Sequence, residues 1–465
     1  MTPRHNAPAP IWRRAASVAS LVAAAAALPL TGCTSTSDAL SVTDPDIINP
    51  VDVQSQAGAN AVRLGALARL NAATSGGSSA SEGLFLLSGL FADEWENGDS
   101  FIARQEVDQR VITPQNNFLT DVSRLLHRAR LSAEQATILL KQYNPGGPAA
   151  ELAEMYFVEA YVENAVGEHY CNGLVFSTVT DAGEQFGTPT TTTAAFERAL
   201  AHADSGLALI TGSSALDVRA RSALRVLKGR ILLNLNRPAD AATAVNGVAT
   251  TFRYEMLHSA TTNSNAIWSY NNLNRRYSVG NSEGTNGLNF ATAADPRLPT
   301  CQGGDATCRT NGVTQTRRDD GGPLRFDVQL LWNARESSVA IVTGTEARLI
   351  EAEAQLRAGN AAASLATLNA IRPAGLQPLT DAGTEAARVN QLFRERAFAL
   401  FGTGHRVGDL RRLIRQYNRP ANSVFPTGTW NKGGTYGGDV NFPVPQAEEN
   451  NPNVTQGNTC IDRNA

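Results

Sequence analysis

The sequence predicts a mostly all-α protein built on tetratricopeptide-like helix pairs, with long loop inserts and a few short strands. Apolar residues recur at helical spacing through most of the chain. Residues 217–248 and 345–372 repeat one plan, a helix, a short break and a second helix. Between them, residues 250–338 are rich in Asn, Gly, Arg and aromatic side chains, so we expect a loop insert with a few strands.

The N-terminus predicts export and lipid attachment. Three arginines precede an apolar run over residues 16–30, which suits a secretion signal and is short for a membrane span. The run ends in Leu-Thr-Gly-Cys, a lipobox, so we expect Cys33 to carry lipid after removal of residues 1–32. Residues 33–50 are polar and contain two prolines, which indicates a flexible tether. A plain signal peptide followed by a chance cysteine is the alternative.

The helical binding domain is expected over residues 51–465. Residues 93–116 are polar, contain aromatics and a proline, and are expected to be a long loop. Residues 419–465 are rich in Gly and Pro and are expected to be coil. Outside the two repeats, helical spacing predicts helices over residues 51–73, 82–91, 118–143, 149–167 and 190–210, and a helical hairpin over 385–417.

The two repeat units can be laid on each other. Their breaks are Asn-Arg-Pro at residues 236–238 and Gly-Asn at 359–360. Gly229 then falls over Ala352, and small residues there allow paired helices to approach closely. This plan is typical of tetratricopeptide repeats.

The cysteines predict disulfides. Four remain beside Cys33, and an even number in an exported protein favours bridges. Cys301 and Cys308 flank a Gly-rich segment, which favours a local bridge and leaves Cys171 with Cys460. Zinc is the alternative, but the chain has neither a CxxC motif nor a nearby histidine pair. We therefore expect no metal and no cofactor.

Charge and motifs argue against several functions. The formal net charge is −3 and there is no basic stripe, so nucleic acid is not an expected partner. No HExxH, GxSxG or phosphate-binding glycine loop is present, so we expect no catalytic residues and no enzyme activity. Glu395, Arg396, Arg406 and Asp409 lie on the last helical hairpin; we interpret them as paired structural charges rather than an acid–base site.

Aromatic residues on loops are the candidate ligand-binding residues, because sugar rings need flat apolar faces and nearby amides or carboxylates. Trp95, Asn97 and Asp99 form one constellation in ADEWENGDSF. Tyr277, which follows two arginines, is expected to be exposed. Packing of Trp95 against the preceding helix is the alternative for that residue, and for Trp332 a binding role and a core role stay open.

Four stretches carry a family resemblance. They are residues 346–372, residues 394–413 with a Glu-Arg…Gly-x-Arg…Asp-Leu pattern, the Pro-x-Pro…Asn-Pro-Asn segment within 442–456, and Asp-Pro-Arg-Leu at 295–298. Together these stretches resemble the SusD/RagB family of outer-membrane nutrient-binding lipoproteins. Gly-Thr-Gly at 402–404 departs from the family's usual Glu-Gly.

The resemblance implies a SusD-like fold and a role in nutrient uptake. Such a lipoprotein would lie on the cell surface, anchored in the outer membrane by its lipid. It would capture an oligosaccharide, or a peptide in some relatives, and deliver it to a TonB-dependent transporter of the SusC kind. The alternative function is a periplasmic tetratricopeptide scaffold for envelope protein assembly; a surface glycosidase is a third hypothesis.

Overall fold

The described helices lie where helical spacing predicts them, with one exception in the segment 93–116. The computed structural model describes residues 53–77, 82–180, 183–305, 308–310, 313–314, 317–322, 324–457 and 459–465. The signal peptide, Cys33 and the tether lie outside the described residues. From Val53 to Ala465 the chain forms one compact unit.

The described helices carry most of the fold. They are α1 (Gln56–Thr74), α2 (Gly83–Phe91), α3 (Ile102–Gln109), α4 (Asn117–Tyr143), α5 (Ala149–His169), α6 (Thr192–Leu209), α7 (Ala215–Asn234), α8 (Pro238–Val245), α9 (Gly344–Arg357), α10 (Ala361–Ile371), α11 (Glu385–Ala399) and α12 (Arg406–Tyr417). In the described part of the chain, no helix is both long and apolar enough to cross a membrane.

The strands are short and pair in antiparallel couples. They are β1 (Trp95–Asn97), β2 (Thr178–Thr180), β3 (Gly183–Gln185), β4 (Arg253–Met256), β5 (Tyr277–Val279), β6 (Thr300–Gln302), β7 (Arg309–Thr310), β8 (Val313–Thr314), β9 (Asp327–Gln329) and β10 (Val339–Thr343). The pairs are β1–β5, β2–β3, β4–β10, β6–β9 and β7–β8. The prediction of a mostly α-helical fold with a few short strands is therefore confirmed.

Side-chain caps explain where several helices begin. Ser214 caps α7 by accepting a hydrogen bond from the backbone N–H of Asp217, whose carboxylate accepts one from the Ser214 N–H. Thr343 caps α9 and Asn360 caps α10 in the same way. Pro238 lies in the first turn of α8, where its missing N–H costs nothing.

Helices α5 to α10 stack in chain order, each against the next. Gly229 lies at the closest approach, because a Cβ atom there would be 2.5 Å from Val245 and 3.1 Å from Ile350. Gly229 has no side chain and Ala352 has only a methyl group, so neither holds the helices apart, as the repeat alignment predicts. This stacking is consistent with tetratricopeptide-like helix pairs.

One local prediction is wrong. The segment 93–116 contains β1 and α3 rather than only loop. Helix α3 is short, its N-cap residue Phe101 makes no side-chain cap, and its buried face holds Arg104 and Asp108 beside one valine, so its apolar spacing is weak. Within the insert, Trp268 is buried and begins a π-helix (Trp268–Leu273).

Both predicted cysteine pairs are bonded in the structure. Cys171 is joined to Cys460, which ties the end of α5 to the C-terminal coil. The coil is also hydrogen-bonded at the C-terminal end of α5. The Cys171 N–H donates to the Phe442 carbonyl at 2.8 Å, and the Phe442 N–H donates to the His169 carbonyl at 2.8 Å. Cys301 is joined to Cys308 within the insert.

The charged residues of the last hairpin form buried ion pairs, but their partners are mostly distant in sequence. Arg396 donates to both carboxylate oxygens of Asp409, at 2.7 and 2.9 Å. Arg406 instead donates to Asp93 at 2.7 and 2.8 Å, which ties the hairpin to the end of α2. Glu395 accepts from Arg297 of the Asp-Pro-Arg-Leu segment at 2.7 Å. The structural interpretation of these charges thus fits the observed contacts.

Candidate ligand-binding surface

The five predicted ligand-binding residues are buried. Trp95, Asn97 and Tyr277 have no exposed surface, Asp99 is 1% exposed and Trp332 is 7% exposed. The expectation that Tyr277 is exposed is wrong. A fully buried side chain cannot contact a ligand in this conformation, so Trp95, Asn97, Asp99 and Tyr277 belong to a layer beneath the surface.

Strand pairing explains the burial of this layer. Strand β1 pairs with β5 in the register Trp95↔Val279 and Asn97↔Tyr277. Because alternate residues of a strand point to opposite sides, Trp95 and Asn97 turn inward together. The Trp95 ring packs on Phe401, with centroids 4.9 Å apart, so it contacts the last hairpin as well as the region of α2.

Arg104 is the buried cation at the centre of this layer. It forms ion pairs with Glu82 and Asp99, and the Tyr277 hydroxyl donates to Glu82. Burial raises the pKa of Asp99, although the neighbouring Arg104 opposes that shift. Burial and the Glu82 carboxylate raise the pKa of Tyr277 well above its ordinary value. Two of the predicted residues therefore hold Arg104 in place.

Three partly exposed rings surround the guanidinium of Arg104, and we call them the aromatic platform. The Arg104 Cζ atom lies 4.5 Å from the ring centroid of Phe118, 5.0 Å from Phe101 and 5.6 Å from Tyr270. Phe101 is 51% exposed, and Phe118 and Tyr270 are half-buried. Cation–π contacts to a buried arginine fix the rings while leaving apolar surface open to solvent.

A polar rim borders the platform. Arg276 forms an ion pair with Asp319 at 3.2 Å, and its guanidinium lies 5.4 Å from the centroid of Phe101. Lys432, from the C-terminal coil, forms an ion pair with Asp320 at 2.7 Å and donates to the Asp99 carbonyl. Apolar faces beside such groups are the combination that a sugar ring requires.

Backbone hydrogen bonds join the loops that carry the rim. The Gly98 N–H donates to the Arg276 carbonyl at 2.7 Å, and the Asp320 N–H donates to the Gly98 carbonyl at 3.0 Å. Beneath them, Arg318 donates to the Asn97 carbonyl at 2.9 Å and pairs with Glu96. Segments more than 200 residues apart in the chain are thus held as one surface.

A cleft of about 410 Å³ lies next to the rim. The Arg275 guanidinium, on the rim side, donates to the Arg317 carbonyl at 3.1 Å. The Gly303 N–H donates to the Phe326 carbonyl at 2.7 Å and closes one wall near the Cys301–Cys308 bridge. The cleft is lined by Gln302, Gly303, Arg317, Gly321, Gly322, Leu324, Arg325 and Phe326.

Trp332 borders a different cleft, of about 310 Å³. Leu331 beside it is 38% exposed, and the cleft extends to Phe398 and His405 of the last hairpin. His405 is held by Arg230, Glu346 and Thr403.

Buried carboxylates lie under the rim on its C-terminal side. Burial raises the pKa of Asp108 to about 7, although the Trp430 indole donates to it at 2.9 Å. Tyr436 donates to Glu283 at 3.0 Å, and burial raises the pKa of Glu283 well above its ordinary value. Trp430 and Tyr436 are thus anchors of the coil. Within the described ranges, no cluster of His, Cys, Asp and Glu could hold a metal ion.

The sequence interpretation pointed to the loop that carries Phe101 of the platform, but the side chains it named are buried. Phe101 lies at the end of the ADEWENGDSF constellation that contains Trp95. Tyr270 lies seven residues before Tyr277, on the π-helix. The alternation of a strand through residues 95–97 is the signal that would have assigned Trp95 and Asn97 to the interior. Phe118 had no such signal, because its place beside Arg104 depends on tertiary packing.

Part of the chain is similar in sequence to a known protein family. Residues 345–459 match the family model described as the SusD family. No curated protein matches the chain in sequence. The matched region covers the last two helical units and the C-terminal coil. Lys432 therefore falls inside it, while the aromatic platform falls outside.

Solved structures extend the likeness over 86% of the chain. A SusD superfamily protein from Parabacteroides distasonis aligns with a TM-score of 0.65 at 13% identity, over 98% of its own chain. A SusD-like carbohydrate binding protein from Bacteroides fragilis gives 0.59 at 12% identity, over 99% of its chain. A laminarin binding SusD-like protein gives 0.58 at 14%, also over 99%. The SusD/RagB resemblance found in the sequence is confirmed, and the fold is SusD-like.

Proposed function

We propose that this protein captures oligosaccharides for import and binds them on the aromatic platform. The SusD-like fold and the match of residues 345–459 to the SusD family model support this role. The exposed ring of Phe101, fixed over the buried Arg104, is the observation that carries this proposal. Binding proteins of this fold with sugar ligands, one of them for laminarin, support the substrate class.

The platform suits binding by stacking. The apolar face of a pyranose covers an aromatic ring, while its hydroxyl groups need hydrogen-bond partners at the edge. Phe101, Phe118 and Tyr270 offer the rings, and Arg276 and Lys432 offer charged donors at the rim. Each of these donors is already oriented by an aspartate, so little side-chain entropy is lost when a ligand binds.

The lipobox supports attachment to a membrane. Lipid on Cys33 would anchor the protein, and the residue after it is Thr rather than Asp, which favours the outer membrane. Acyl chains contribute roughly 0.8 kcal/mol per buried methylene group, so more than one chain gives lasting attachment. In this proposal the protein faces the cell surface, has no catalytic activity, and passes its ligand to a TonB-dependent transporter of the SusC kind.

Calorimetric titration with a panel of oligosaccharides tests the binding function. The panel contains β-glucans including laminarin fragments, α-glucans and uronate oligosaccharides, each incubated overnight with the protein to detect turnover. We expect micromolar to millimolar binding of at least one class without hydrolysis. Hydrolysis would support the glycosidase hypothesis, and absence of binding across the panel would contradict the proposal.

Affinity purification tests the partner. The full-length lipidated protein is recovered from gently solubilised outer membrane, and the associated proteins are identified by mass spectrometry. Recovery of one large TonB-dependent barrel in comparable amount is the expected result. Recovery of periplasmic proteins only, together with resistance to protease on whole cells, would instead support the scaffold hypothesis.

A further inference from the structure

The cleft beside the platform carries positive charge that the described residues leave unneutralised. Among its described lining residues, two are arginines and none is acidic. Arg325 is neutralised, because it pairs with the buried carboxylate of Asp327. Arg317 is exposed, and no carboxylate among the described residues forms an ion pair with it. The described lining of the cleft therefore carries one positive charge without a carboxylate partner.

A second arginine adds to this charge. Arg275 donates to the Arg317 carbonyl at 3.1 Å, and no carboxylate of the described chain pairs with its guanidinium. The rim is otherwise balanced, because Arg276 pairs with Asp319 and Lys432 with Asp320.

The chain as a whole carries a net negative charge. The chain has a formal net charge of −3, and about −6 without the three arginines of residues 1–32. A guanidinium group presents parallel donors that match a carboxylate in a bidentate geometry. A neutral ligand would leave the two arginines solvated but unused, whereas a carboxylate ligand would complete the charge balance of the surface.

We propose that the preferred ligands are acidic oligosaccharides, in which a sugar stacks on the aromatic platform and a uronate carboxylate binds at Arg317 in the adjacent cleft. This inference rests on the proposed function and specifies its substrate class. Arg275, on the rim side, strengthens the positive potential between the two subsites. The ligand spans the contact between Arg275 and Arg317 that joins rim and cleft.

Matched pairs of ligands test the inference. Oligogalacturonate and oligoalginate are each compared with their carboxyl-reduced counterparts, which keep the sugar linkage and lose the charge. We expect the acidic member of at least one pair to bind about tenfold tighter in low-salt calorimetric titration, a preference that shrinks as salt is raised. Equal binding of both members in every pair, or binding of neither member, would overturn the inference.

Two variants locate the effect. Arg317→Gln should lose most of the preference for the acidic member and keep the affinity for the reduced member. Arg69→Gln is the matched control, because Arg69 is an exposed arginine of α1. Equal effects of the two substitutions would overturn the assignment to the cleft. If neutral oligosaccharides bind and depend on Phe101, the proposed function stands even where this inference fails.

Discussion

The turn between α11 and α12 gives a prediction whose size follows from the structure. Gly404 has φ +73°, and a Cβ atom there would lie 2.7 and 2.9 Å from two ring atoms of Phe85. Phe85 is 1% exposed, so its ring has little room to move. Gly404→Ala should cost about 1–2 kcal/mol from the left-handed backbone and about 1–3 kcal/mol from overpacking. The expected total loss of unfolding free energy is about 2–5 kcal/mol.

A second glycine separates the two contributions. Gly359 has φ +79°, but no heavy atom lies within 4 Å of its Cβ position, so Gly359→Ala should lose only the backbone contribution. Urea unfolding followed by circular dichroism measures both variants, with unchanged denaturant slopes as the condition for comparison. Equal losses for the two variants would refute the inference that a glycine at position 404 is required for close packing on Phe85.

Three further predictions concern buried charges and the long-range bridge. Burial raises the pKa of Glu94 to about 8, so the folded state keeps a proton that the unfolded state has lost above its ordinary pKa of 4.5. The free energy of unfolding of the wild type should therefore fall as the pH rises from about 5 to 8. Glu94→Gln should reduce this pH dependence in urea unfolding at several pH values, and an unchanged pH dependence would contradict the raised pKa of Glu94. Replacing both Cys171 and Cys460 by serine should lower the free energy of unfolding by about 3–5 kcal/mol in the same assay, because the disulfide closes a loop of 289 residues. A loss near zero would contradict this stabilising role. Asp409→Asn should cost about 3–5 kcal/mol, because the buried Arg396 loses its hydrogen-bonded carboxylate while Arg412 keeps only Glu353. The exposed Asp381→Asn should cost far less, and similar losses would contradict the role of burial.

The helical scaffold was predictable because its signals are local. Helical spacing, caps such as Ser214 and the breaks at residues 236–238 and 359–360 need no knowledge of distant contacts. The disulfide pairs followed from an even cysteine count and one short spacing. Helix α3 was missed since its buried face contains Arg104 and Asp108, whose partners lie elsewhere in the chain.

The binding surface was only partly predictable, for a different reason. The loop containing Trp95 carries Phe101 of the aromatic platform, but which of its side chains face solvent depends on the pairing of β1 with β5. That pairing joins residues about 180 apart, and no local pattern specifies it. Phe101 is exposed and Tyr270 is half-buried, because Arg104 occupies the interior between them. The surface therefore follows from tertiary contacts of a buried cation.

The account predicts that sugar binding depends on the exposed ring of Phe101. Phe186→Ala is the matched control, because Phe186 is 47% exposed and Phe101 is 51% exposed. Half of a phenylalanine ring offers about 100 Å² of apolar surface, and a pyranose that covers part of it gains about 1–2 kcal/mol. Calorimetric titration with the oligosaccharide that the wild type binds should show about tenfold weaker binding for Phe101→Ala and no change for Phe186→Ala. Unchanged binding by a folded Phe101→Ala variant would contradict the central claim.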